Sequence, residues 1–397
     1  MFYGSLFMRK VAVVGVGQTV FSGAQSRTNT ELFSEAAMDA LNMANLKNRD
    51  VQALLVGNVL ADYEEGQQIA QTFIAENMGL PNVPANIYDG ACASSSVTII
   101  DAFIWIASGL YDIVLVGGME KAASMGTHLA TQTYAMYADR FYDYPTGITF
   151  PGIFAMLAHL YAKKYNMPIE KLKEQMALVS VKAHKFGALN PKAHLQRELT
   201  VEKVFRSPVV CQPLNVYDCC PFSDGAAVVV MTSEEIARKL TDKPVFITGV
   251  GQASSGGFTC QQAYLPRLIA REVSVGKAYK MAGVKPQDID VCELHDSFSI
   301  AEILALESLG LFEYGTGGAA SARGETQLGG KVVVNPSGGL KSKGHPVGAT
   351  GAAQVYEIFK QLRGECGATQ VEGAKIGLTD AMGACGNINC NIIMQRG

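Results

Sequence analysis

Apolar and polar positions along this chain follow two alternating rhythms. Short runs in which nearly every position is apolar, VAVVGVGQ at 11–18, VLVGG at 114–118, AAVVVM at 226–231 and VFITGVGQ at 245–252, are rich in Val and Ile and edged by Gly. They predict strands buried on both faces, as in the middle of a layered sheet. Between them lie longer segments with helical spacing of apolar residues, such as ASSSVTIIDAFIWIASGL at 93–110 and GATGAAQVYEIFKQL at 348–362. Strand and helix alternate, which predicts an α/β fold.

The runs at 11–18 and 245–252 are near copies. Each leads through a helical stretch to a matched hand-over: Met43-Ala44-Asn45-Leu46 to Asp50-Val51 in the first, Met281-Ala282-Gly283-Val284 to Asp288-Ile289 in the second. An internal repeat of this kind predicts two halves of one fold related by a pseudo-twofold axis, 9–243 and 244–397. The first half is longer because residues 121–221 depart from the pattern, with GIFAMLAHLYAKKY and EQMALVSVKAHKFG reading as helices before SDGAAVVV resumes the core at 223. This region is expected to be a mostly helical insertion, and an insertion so large is normally functional.

Composition then narrows the function. With 397 residues and 48% hydrophobic content the chain has ample core for two units. The 33 Lys+Arg against 36 Asp+Glu leave a net charge of −3, so there is no basic field to grip nucleic acid. Nine cysteines, an odd number in a large chain, do not form a disulfide framework and fit a reducing cytoplasm. The opening Met1–Lys10 carries its charges after its apolar residues, the reverse of a secretory leader, and no run reaches the length of a membrane span. Neither copy of GVGQ completes G-x-G-x-x-G, so the repeat reads as an architectural strand end rather than a dinucleotide fingerprint.

Three loops carry candidate chemistry. Cys92 in YDGACASSS follows the turn-forming Asp89-Gly90 and precedes a helix, whose free N–H groups and dipole are expected to lower the thiol pKa and make a nucleophile. His345 in NPSGGLKSKGHPVGATG also precedes a helix, amid five glycines between Ser337 and Gly351, and by the repeat it is the second-half counterpart of Cys92. The two are expected to meet between the halves, His345 taking the thiol proton. His295 in VCELHDSFSIAEILALE ends an apolar strand and reads as a neutral donor to a carbonyl oxygen, with Asp296 or Glu293 fixing its tautomer. Cys219-Cys220 and Cys385…Cys390 lack metal-ligand spacing, so no metal is expected. His128, His159, His184 and His194 fall in the insertion and read as surface or core residues.

Together GACASSS, VGGME at 116–120, SDGAAVVV at 223–230, ELHDSFS at 293–299, NPSGGLKSKGHPVGATG at 335–351 and the ending MGACG resemble the thiolase superfamily over about residues 9–395. The likeness is greatest to the sterol-carrier-protein type and its archaeal relatives, which have His-Asp where other thiolases have Asn-Glu. It implies duplicated αβαβα halves, Cys92 as the acylated nucleophile, His345 as its activator and His295 as a further oxyanion-hole donor. It also implies a second hole from the backbone N–H groups of Cys92 and of Gly383 or its neighbours, and a coenzyme A site at Ser223, Gly344 and the insertion. Many thiolases carry a second cysteine that shuttles the α-proton of the attacking acyl-CoA. Here Ser297 follows His295-Asp296 and Ala381 stands at the usual C-terminal position, so Cys385 becomes the candidate acid/base, with His295 or water as alternatives.

The activity implied is acetyl-CoA C-acetyltransferase: two acetyl-CoA condense to acetoacetyl-CoA and CoA, reversibly, with no permanently bound cofactor. Alternatives are a 3-ketoacyl-CoA thiolase of broader chain length and a non-catalytic acyl-CoA-binding scaffold. The resemblance further implies a homodimer or homotetramer and a complex with hydroxymethylglutaryl-CoA synthase and a small OB-fold protein, with no nucleic-acid or membrane partner.

Overall fold

The computed structural model describes residues 8–80 and 82–397, so Met1–Phe7 of the apolar opening lies outside the described residues. The strands are β1 (Val11–Gln18), β2 (Ala53–Gly57), β3 (Ala85–Tyr88), β4 (Ile113–Lys121), β5 (Val209–Cys211), β6 (Leu214–Asn215), β7 (Asp224–Ser233), β8 (Val245–Ser254), β9 (Val291–Glu293), β10 (Val333–Val334), β11 (Ile376–Gly383) and β12 (Ile388–Arg396). Ten of them form one mixed sheet in the order β10-β9-β11-β12-β8-β1-β7-β4-β2-β3. Outward from the centre, β1-β7-β4-β2-β3 and β8-β12-β11-β9-β10 are the same sequence of connections. The copied strands β1 and β8 meet at the centre as an antiparallel pair, Val11 opposite Ile247 and Val13 opposite Val245.

Alternate residues of β1 serve different layers. Val11 and Val13 join a core with Ile99, Phe103, Val355 and Phe359, whereas Ala12 and Val14 join another with Leu32, Phe33 and Ala37. The sheet is thus covered on both sides, which is why its central strands are apolar at every position. The glycines of the repeated GVGQ set the approach of the outer helices. A Cβ at Gly15 or Gly17 would fall 2.1 or 2.0 Å from the Ala40 or Ala36 carbonyl of the Asn29–Met43 helix. In the second half a Cβ at Gly249 or Gly251 would fall 2.3 or 1.9 Å from the Ala278 or Ser274 carbonyl of the Ile269–Ala282 helix. Backbone contact this close admits only glycine.

On the other face the Ser94–Ala107 and Thr350–Arg363 helices pack against each other near their N-termini. A Cβ at Gly351 would sit 2.1 Å from Ser96 Oγ, and the Ala352 N–H donates to Ser95 Oγ at 3.0 Å. The loops that enter these helices are those of Cys92 and His345, so the packing of the two helices brings the chemistry of the two halves together. Between β4 and β7 lie the Thr127–Tyr134, Phe150–Lys164, Ile169–Gly187 and Val201–Arg206 helices and the β5–β6 hairpin. The two long helices pack on the Ser299–Ser308 helix, with a buried Lys182–Glu302 ion pair at 2.6 Å joining insertion to core.

Candidate active site

Cys92 follows Ala91, whose φ of 50° places a non-glycine residue in the left-handed region. Asp89 Oδ1 accepts the Ala91 N–H at 2.8 Å and Ser94 Oγ accepts the Gly90 N–H at 2.9 Å, so side-chain acceptors hold this strained turn. The last strands of the second half reach over it. A Cβ at Gly383 would lie 2.4 Å from the Gly90 carbonyl, and the next residue, Ala384 (φ 55°), aims its N–H at the Cys92 sulfur. The Cys92 N–H also favours the thiolate. Against the sequence-based expectation, the thiol pKa is not low: burial pushes it up to about 12, opposed by those two N–H groups. Removing water from the sulfur outweighs the helix terminus, and Cys92 rests as a thiol.

His345 is set by its neighbours. Thr350 Oγ1 lies 3.0 Å from the Pro346 carbonyl and 2.7 Å from His345 Nδ1; with its single hydrogen on the carbonyl it accepts from Nδ1. In that arrangement Nδ1 carries the proton and Nε2 keeps its lone pair. Burial pushes the imidazole pKa down to about 3, so the ring is neutral. The backbone is fixed as well, since the His345 N–H donates to Ser223 Oγ at 3.0 Å and Phe222 forms a bridge to His345. Ser223 also bonds His194 Nδ1 at 2.9 Å, and a Cβ at Gly344 (φ 111°) would be 2.6 Å from Ser223 Oγ. Ser223 and Gly344 thus stand behind the His345 loop and do not line the cavity described below.

Glu120, at the end of β4, ties the halves together. Its carboxyl accepts from Gly348 N–H at 2.7 Å, three residues beyond His345, and from Leu60 N–H and Asn58 Nδ2 at 3.0 Å each. Burial and the adjacent Glu64 carboxyl hold Glu120 well above the usual carboxylate range, so the pair retains a proton near neutrality.

His295 packs edge-on to His345, with ring centroids 5.1 Å apart and planes at 83°. Burial, then the His345 ring and the Arg271 guanidinium, hold its pKa well below the ordinary value. Among the described residues no hydrogen bond engages its ring, and Nδ1 is a buried polar atom with no partner. Neither carboxylate expected to fix its tautomer does so. Asp296 Oδ1 accepts the Leu340 N–H at 2.7 Å, and Glu293 binds Ser337 Oγ at 2.7 Å and Lys343 at 3.4 Å. Both hold the loop that carries His345.

Cys92 Sγ and ring nitrogens of His295 and His345 all lie within 4.8 Å of one another. Among the described residues this is the one cluster of three such side chains spaced for a metal ion, and the same spacing serves a nucleophile with its base and an N–H donor. Cys92 and His345 open onto a cavity of about 360 Å³ whose walls include Tyr134, Phe150, Phe222 and Phe298, with His184, Arg197 and Lys341 as its cations and imidazole. Cys385 is not brought to this cluster. Its thiol donates to Asn387 Oδ1 at 3.1 Å, the Phe258 N–H favours its sulfur, and burial pushes it up to about 12. His128 lines a separate groove, and His159 is exposed. Thr350 and Glu120 were not singled out from the sequence, whereas Ala384 is one of the neighbours of Gly383 expected to offer a backbone N–H. Thr350 lies five residues after His345 in the same motif, and Glu120 is a charge ending an apolar strand, which is the signal each offered.

Comparison with known proteins identifies the family. The family model described as "Thiolase, N-terminal domain" matches residues 11–235, and "Thiolase C-terminal domain-like" matches 251–396. The chain is 40% identical to the acetyl-CoA acetyltransferase of Methanothermobacter thermautotrophicus over 98% of its length and 100% of that protein. It is 35% identical to human sterol carrier protein 2 over 96% of this chain and 71% of the other. Among solved structures, the Ltp2-ChsH2(DUF35) aldolase superposes with a TM-score of 0.83 at 25% identity, covering 98% of each chain. With a duplicated sheet, a cysteine and two histidines converging from both halves, and both family models matched in order, the chain belongs to the thiolase family of acyltransferases.

Proposed function

We propose that this chain is an acetyl-CoA C-acetyltransferase working through an acetyl-Cys92 intermediate. The observation that carries the reading is the thiol–imidazole cluster, with the Ala384 N–H on the sulfur, at the wall of an apolar cavity. Cys92 attacks the thioester as its proton passes to His345 Nε2. Because both groups rest neutral, the transfer accompanies attack rather than preceding it. Thioester oxygen, as it gains charge, takes hydrogen bonds from the backbone N–H groups of Cys92 and Ala384 or from the unengaged His295 ring. Condensation with a second acyl-CoA then releases the 3-ketoacyl product and the thiol.

The reading includes the division into halves at 9–243 and 244–397 with an insertion over 121–221, and a coenzyme A site formed largely by the insertion. It also includes a cytoplasmic location and a homo-oligomer. In support of the last, β3 ends the sheet with Asn86 exposed and Ile87 38% exposed. The reading further includes a complex with hydroxymethylglutaryl-CoA synthase and a small OB-fold protein; the DUF35 component named with the aldolase neighbour supports a partner protein. A broader 3-ketoacyl-CoA range is the second reading, favoured by the aromatic walls of the cavity.

Loss of acetoacetyl-CoA absorbance on adding free CoA tests the activity, and repetition over a series of chain lengths separates the two readings. CoA binding without turnover of any chain length would instead leave a scaffold.

A further inference from the structure

The acetyl-Cys92 reading leaves one proton without a carrier. Condensation requires a group to remove the α-proton of the second acyl-CoA, yet Ser297 and Ala381 stand where a second thiol is usual, and the Cys385 thiol is spent on Asn387. Two other cysteines, Cys219 and Cys220, line the same cavity as Cys92 and His345. Cys220 lies on the segment that threads between the two histidine loops. Its N–H donates to the Ser297 carbonyl at 2.8 Å, Cys219 bridges Phe298, and Phe222 bridges His345. This threading fixes Cys220 between the His295 strand end and the His345 loop, where the residue forms part of the cavity wall. Among the described residues no hydrogen bond takes up its S–H, unlike that of Cys219, which donates to the Asn215 carbonyl at 3.6 Å.

We propose that Cys220 is the second thiol of the reaction, the group that moves the α-proton. When Cys92 attacks the first acyl-CoA, the C–S bond to coenzyme A breaks and the departing thiolate takes the Cys220 proton, leaving as free CoA. The Cys220 thiolate then removes a proton from the α-carbon of the second acyl-CoA. The electron pair of that C–H bond forms the new C–C bond at the acyl carbon, and Cys92 leaves as thiolate and recovers its proton from His345. Each proton lost is regained, and no oxidant or further reactant is needed. Burial pushes the Cys220 thiol up, with the charges of Cys219 and Cys92 acting in the same direction. A thiol so placed stays protonated until a thiolate leaves beside it, and its own thiolate is a strong base suited to a weak carbon acid.

The inference rests on the acetyl-Cys92 reading, and the test separates the two. Wild type, Cys220→Ala, Cys220→Ser and Cys385→Ala are each incubated with acetyl-CoA. The acetyl adduct is read by intact mass, exchange of the methyl protons into deuterated water by NMR, and folding by thermal melting. Cys220→Ala, in which His345 returns the Cys92 proton to the departing thiolate, is expected still to be acetylated on Cys92 while its exchange falls by about 100-fold or more, the usual share of a proton-transfer group. Cys220→Ser, which keeps the volume, is expected to lose exchange as well, and it decides the matter if the alanine variant does not fold. Cys385→Ala is expected to exchange normally. An acetylated Cys220 variant exchanging at the wild-type rate overturns the inference, as does a wild type that is acetylated but never exchanges. A wild type that takes no acetyl group overturns the reading beneath it.

Discussion

Replacing Thr350 by valine tests the assignment of the base without touching a residue that meets substrate. The side chain keeps its branching and loses the hydroxyl that accepts from His345 Nδ1 at 2.7 Å and donates to Pro346 at 3.0 Å. An unpaired buried N–H costs about 1–3 kcal/mol. The ring relieves that cost by carrying its proton on Nε2 instead, the nitrogen that must be bare to receive the Cys92 proton. A tautomer preference of that size lowers the competent fraction, and with it the acylation rate, by about 5- to 150-fold. Single-turnover release of CoA from acetyl-CoA, followed with a thiol reagent, measures the step directly. Thr350→Ser keeps the hydroxyl and is expected to acylate within about threefold of wild type. Acylation by folded Thr350→Val at the wild-type rate would refute the tautomer argument.

Two further consequences concern stability. Gly351→Ala places a Cβ 2.1 Å from Ser96 Oγ where the two central helices meet, so denaturant unfolding should show a loss of about 1–3 kcal/mol, and an unchanged midpoint would mean that the helices separate freely. Burial raises Glu64 from 4.5 to about 7, and a carboxyl whose pKa is higher in the folded state contributes stability that is present below about 4.5 and lost as pH rises through about 7. On going from about pH 8 to about pH 5.5 the wild-type midpoint should therefore rise relative to that of Glu64→Gln, whereas midpoints moving in parallel would show that this pair does not titrate there.

The sequence was most legible where a physical constraint repeats. VAVVGVGQ and VFITGVGQ occur twice because two outer helices each need a glycine floor, and recognising the copies leads directly to β1 and β8 at the sheet centre. The same symmetry, with Cys92 and His345 each ahead of a helix, points to their meeting, and small residues such as Gly351 are what let those helices close. What was not legible depends on distance through space. A helix N-terminus next to Cys92 suggests a low thiol pKa, but only the packed structure shows that burial dominates. On paper Cys385 is the candidate second thiol, and only the folded chain shows its thiol bonded to Asn387 while Cys220 lines the cavity with Cys92. Thr350 and Glu120 act by accepting particular N–H groups, which no spacing rule specifies.

The central claim is that Cys92 carries the acyl group. Intact-mass measurement after incubation with acetyl-CoA, followed by mapping of the modified peptide, tests it most directly. The account predicts one acetyl group on the wild type, located at Cys92, and none on Cys92→Ala. A wild type that stays unmodified while folded, or an acetyl group found equally on Cys92→Ala, would contradict it.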